Sequence, residues 1–117
     1  KGGLAVLAHP FSLFKGIPLR ELKRAENADA MEVINSCAVP FSLSVHLGKR
    51  YARVLRLPEV AGSDAHIPEV IGLSYCEVYS DPDVEEILNA IRKGYTKPHG
   101  SGIPIYERIK HINRCSQ

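Results

Sequence analysis

The sequence predicts an α/β fold built on a parallel sheet, and three observations carry that expectation. Apolar runs of strand length alternate with segments of helical periodicity along the chain, the order that parallel βαβ units produce. The early strand-like runs end at His9-Pro10 and at Asn35-Ser36, where proline stops ladder pairing and turn-forming residues redirect the chain. With 44% apolar and 24% charged residues among 117, the proportions are those of an ordinary folded chain.

The first strand is expected over Gly3 to Ala8 (GLAVLA), and Pro18 then opens a short helix to about Asn27 with Leu19 and Leu22 as apolar contacts. Asp29 to Ile34 (DAMEVI) forms the second strand. Pro40 suits the first turn of the next helix, which runs to Leu57 with Leu43, Leu47, Tyr51, Val54 and Leu55 at helical spacing. His46, Lys49, Arg50, Arg53 and Arg56 form a basic stripe on it; a solvated face explains them better than a phosphate or nucleic-acid surface. Glu59 to Gly62 leads into Ser63-Asp64-Ala65-His66, and a further strand is expected near Leu73 to Val78.

Asp81 is expected to cap the following helix, with Pro82 at its first position and Val84, Ile87, Leu88 and Ile91 as its buried stripe. Gly94 terminates it. Tyr95 to Pro98 reads as a last short strand, and Lys97 to Gly102 as a connection rather than a phosphate-cradling loop. The tail from Pro104, with Ile105, Ile109 and Ile112, reads as a closing helix.

A chain of this length is one domain at most. No apolar run approaches the roughly 20 residues of a membrane span. The start, Lys1-Gly2-Gly3, has neither Met nor a signal segment, and is read as a cut from something longer. Cys37, Cys76 and Cys115 show no metal-ribbon or disulfide spacing, so reduced thiols in a cytoplasmic protein are expected. A net charge of +2 is too small to indicate a nucleic-acid partner. Four parallel strands cannot close a barrel, and their outer edges invite self-association. A small open sheet, pairing between protomers and a missing N-terminal segment each answer that difficulty; the last is favoured.

Three residues point to chemistry. Asp64 and His66 form an Asp-x-His step; at the end of a strand, positions i and i+2 leave the same face and converge on one ion. Small Gly62 and Ala65 let backbone and metal approach. His9 ends a different strand between Ala8 and Pro10. Functional residues of α/β barrels lie at the C-terminal ends of strands, and all three do in this reading. Such a donor set suits zinc, manganese or iron better than calcium. A lone histidine after a strand is more often an ordinary loop residue, and an isolated Asp-x-His is common by chance; the combination carries the metal reading. Glu32, inside an apolar strand, needs a partner: it either backs or joins the ligands, or pairs with an arginine. Asn35 and Ser36 either touch substrate or simply turn the chain.

Leu7-Ala8-His9-Pro10 and Ala61-Gly62-Ser63-Asp64-Ala65-His66 resemble the third and fourth motifs of the PHP (polymerase and histidinol phosphatase) family. The segments Ile67 to Gly72, Ala28 to Asn35 and Glu86 to Thr96 resemble the family's neighbouring elements. The resemblance implies the C-terminal part of a distorted (β/α)7 barrel, with His9, Asp64 and His66 as ligands in a cluster of up to three divalent metals. It implies hydrolysis, by metal-activated water, of a phosphomonoester, a nucleotide or a short oligonucleotide. The family's His-x-His motif and the Glu and His of its second region are absent from this sequence, so this chain alone is expected to bind metal weakly and turn over little. A metal-dependent amidohydrolase and a non-catalytic metal-binding or docking module are the competing functions.

Overall fold

The computed structural model describes residues 2–13, 16–18 and 21–109. Strands β1 (Val6–Leu7), β2 (Ala30–Asn35) and β3 (Glu59–Gly62) form a parallel sheet in the order β1-β2-β3. A 3-10 helix, Leu22–Asn27, lies between the first two strands, and helix α1 (Phe41–Leu55) crosses between the second and third. Central β2 carries the core: Ala30, Met31, Val33 and Ile34 are buried, and Leu22, Phe41, Val45, Tyr51 and Leu55 pack around that strand. The first strand is shorter than its apolar run. Only Val6 and Leu7 of the GLAVLA segment pair with β2, because Asp29 folds back and takes the Ala5 amide on its carboxylate at 2.8 Å.

Helix α1 is rotated relative to the expected stripe. Leu43 and Val54 are exposed, whereas Ser44, Gly48 and Ala52 are the buried positions. Small residues four apart form a groove in which the helix sits on β2 at close range. A Cβ on Gly48 would lie 3.1 Å from the Val33 Cα. Val33 stands where the β2–β3 register shifts between Glu32 and Ile34, and such a bulge bends the strand and re-aims its neighbours. Of the basic residues, His46, Arg50, Arg53 and Arg56 are exposed and Lys49 is half-buried.

The second half departs from the parallel expectation. Strands β4 (Ser74–Val78) and β5 (Thr96–Gly100) pair antiparallel in a separate two-stranded sheet. The Tyr79 amide donates to the Tyr95 carbonyl at 2.9 Å, which continues that ladder beyond Val78. Helix α2 (Val84–Arg92) is therefore a long excursion from a hairpin and not a crossover between parallel strands. Among the described residues the sheets are open, and no barrel closes. The last strand, expected over Tyr95 to Pro98, is β5, which runs on through His99 and Gly100, expected in a connection. Residues 105–109 are helical; Leu19, Ile112 and Cys115 lie outside the described residues.

The start of α2 also differs from expectation. Asp83, not Asp81, is its N-cap, accepting from the Glu85 and Glu86 amides at 2.9 and 3.2 Å. The predicted stripe is incomplete: Val84 is 71% exposed and Ala90 is the buried position, since a two-stranded sheet offers little surface to cover. Replacing Asp83 by Ala should cost about 1 kcal/mol of stability, the usual value of such a cap. Asp81→Ala should change the denaturation midpoint far less, and urea unfolding of both variants distinguishes the two assignments.

Candidate metal centre

The C-terminal ends of β1, β2 and β3 lie side by side, as parallel pairing requires. Functional groups gather at such ends in α/β sheets. The sequence departs from regular strand at each of them. His9 follows β1 with φ 34°, and Asp64 follows β3 with φ 50°. Among the described non-glycine residues, Arg56 alone joins them at positive φ, as the C-cap of α1. Aspartate and histidine enter this left-handed region more readily than most side chains.

The left-handed turn changes how Asp64 and His66 meet. β3 ends at Gly62, so the alternation of an extended strand does not apply to positions 64 and 66. They converge instead because the chain curls at Asp64. Its carbonyl oxygen lies 2.7 Å from His66 Nδ1 and accepts the Cys37 thiol proton at 3.0 Å. Ligand atoms of Cys37, Asp64 and His66 all lie within 4.8 Å of one another. Cys37 and Asp64 are half-buried and His66 is exposed.

Zinc bonds of about 2.0–2.3 Å place tetrahedral ligand atoms roughly 3.3–3.7 Å apart, so small side-chain rotations fit these three donors to one ion. Sulfur, oxygen and nitrogen are all ordinary zinc donors. When His66 Nδ1 carries the proton donated to the carbonyl, Nε2 holds the free lone pair, the usual arrangement behind a ligating imidazole.

His9 stands apart from that group. Its backbone amide donates to Glu32 Oε2 at 2.7 Å, while its side-chain Nδ1 is buried with no hydrogen-bond partner among the described residues. A buried imidazole nitrogen left without a partner is costly and fits a ligand for a cation. Glu32 touches the His9 backbone and not its ring. The same Oε2 accepts from Asn35 Nδ2 at 3.0 Å, and a Cβ on Gly62 would lie 2.8 Å from Oε1. Glu32 thus touches the ends of all three strands, which is why β3 carries a glycine there. Asn35 Oδ1 accepts the Cys37 amide at 2.9 Å, the local turn typical of Asn. Ser36 is fully buried and shares a hydrogen bond with Ser74.

Two residues of this site escape sequence reading. Cys37 offers no metal-ligand spacing of its own. Arg108, 71 residues further on, donates to the backbone carbonyls of Ile103, Ser36, Cys37 and Ala38 at 3.1–3.4 Å. The one available signal was an arginine on a mostly apolar closing helix. Cys76, by contrast, is not one of the converging ligand groups, and burial pushes its thiol pKa up.

Residues 46–96 match the family model described as PHP-associated. The matched segment includes Asp64 and His66 and leaves His9, Glu32, Asn35 and Cys37 outside it. Neither a curated protein nor a solved structure matches the chain. No helix among the described residues is long and apolar enough to cross a membrane.

Proposed function

Since residues 46–96 match the PHP-associated family model, we propose that this chain contributes the C-terminal part of a metal-dependent phosphoesterase centre. Asp64 and His66 hold a divalent cation, and His9 serves the same cluster from the end of β1. The observation that carries this reading is the convergence of Cys37, Asp64 and His66 within 4.8 Å; the buried His9 Nδ1, without a hydrogen-bond partner among the described residues, adds to it. Positive φ at both His9 and Asp64 supports it, because backbone strain of this kind concentrates at functional sites.

A divalent cation bound there supplies Lewis acidity, making water nucleophilic near neutral pH and offsetting charge on a phosphate. The protein's own contribution is orientation. The Asp64 carbonyl fixes the tautomer of His66, and Glu32 holds the His9 backbone. The substrate class is a phosphomonoester, nucleotide or short oligonucleotide.

Phosphate release from a generic phosphomonoester, assayed on the protein with added manganese, tests the reading. Asp64→Asn is expected to reduce the rate by at least 10–100-fold, the loss seen when even an outer partner of a metal ligand is removed. An equal rate in that variant contradicts the role of Asp64.

A further inference from the structure

We propose that Cys37 is itself a metal ligand, making the centre a sulfur, oxygen and nitrogen site that takes zinc in preference to manganese. The proposal rests on the reading of Asp64 and His66 as ligands and adds a donor from a second strand end. Its basis is placement. Sγ of Cys37 lies within 4.8 Å of the ligand atoms of both other residues, although 27 positions separate it from Asp64. Thiol and imidazole meet the same Asp64 carbonyl, at 3.0 and 2.7 Å, so both side chains already reach one small volume.

Two separate devices hold the Cys37 backbone there. Asn35 Oδ1 binds its amide from within the turn, and Arg108 binds the carbonyls of residues 36, 37 and 38 from the C-terminal segment. Ligands held by such a supporting shell are set before the ion arrives. Cys76 supplies the internal contrast: its sulfur donates to the adjacent Glu77 carbonyl, at 3.6 Å, and it joins no group of converging ligands among the described residues.

The chemistry follows from the donor. On coordination the thiol releases its proton to solvent, and a sulfur–metal bond replaces the S–H bond. The Asp64 carbonyl then keeps His66 Nδ1 as its partner. Thiolate is a soft ligand that selects zinc and disfavours manganese, which prefers oxygen. A site of Asp64 and His66 alone would lack that preference.

Cobalt titration of the purified chain tests the proposal, because cobalt reports sulfur ligation through a near-ultraviolet sulfur-to-metal charge-transfer band. The wild-type chain should develop the band, and zinc should displace the cobalt and abolish it. Cys37→Ser keeps a hydroxyl able to bond the Asp64 carbonyl. It should lose the band and bind zinc about 10–100-fold more weakly, with manganese affinity changed little. Should Cys37→Ser fail to fold, the wild-type spectrum decides alone. Cobalt bound without the band, in a manner abolished by Asp64→Asn, overturns the assignment of Cys37 and leaves the Asp64–His66 reading intact. Metal binding indifferent to Asp64→Asn overturns both.

Discussion

Asp64→Asn is expected to weaken zinc binding by at least 10–100-fold while leaving the fold unchanged. The two halves of this expectation have separate causes. Asparagine enters the left-handed region at least as readily as aspartate, so the φ of 50° at this position is no obstacle. The backbone carbonyl that accepts from Cys37 and meets His66 Nδ1 is retained as well. The carboxylate charge alone is removed, and loss of a direct ligand must exceed the 10–100-fold cost of losing an outer partner. Isothermal titration with zinc reads the affinity, and circular dichroism the fold. Asp64→Ala should behave differently, adding backbone strain of about 1 kcal/mol or more to the lost ligand.

Arg108→Ala is expected to destabilise the chain by about 2–3 kcal/mol and to loosen the segment that carries Cys37. One guanidinium serves four carbonyls, three of them consecutive in the β2–α1 connection. A hydrogen bond to a charged group contributes about 1.5–3 kcal/mol, and the half-buried setting and shared donor keep the total well below a simple multiple. Arg108→Lys should recover little of it. An ammonium is a point charge and cannot reproduce the planar fork that spans several acceptors. Urea denaturation measures the loss, and amide exchange at residues 36–38 should accelerate in both variants. Unchanged exchange would show that the arginine merely rests on this segment.

The parts of this fold that were legible in the sequence share a cause: each depends on neighbours close along the chain. β2 was readable because DAMEVI is apolar at Ala30, Met31, Val33 and Ile34, positions on both faces, as in a strand buried on both sides. Helix α1 was readable from its periodicity, yet its buried face was not. Leu43 and Val54 satisfy the spacing, but the groove of Ser44, Gly48 and Ala52 against Val33 decides the contact. Backbone proximity outweighed side-chain size there. The pairing of β4 with β5 was misread as parallel because strand, helix and strand in order do not distinguish a crossover from a long excursion within a hairpin.

The candidate site divides in the same way. Asp64 and His66 were visible as a short step between small residues, although the turn that joins them is left-handed where an extended strand was expected. Cys37 meets them only through the parallel register of β2 and β3, a long-range pairing that no local pattern reveals. Arg108 was hidden for the same reason. Glu32 was suspected because a carboxylate in an apolar strand needs partners. Its partners among the described residues are the His9 amide and the Asn35 side chain.

The central claim is that one divalent cation sits beyond β2 and β3 on the donors around Asp64. Imidazole nitrogen resonances recorded during zinc titration test it most directly, because they identify which histidine binds. The account predicts that His66 Nε2 shifts as the first equivalent is added. His46, exposed on α1, and His99, stacked on Tyr75 with Nε2 at 3.2 Å from Glu77, should remain unchanged. Zinc that perturbs His46 or His99 first, or leaves His66 unshifted, would contradict it.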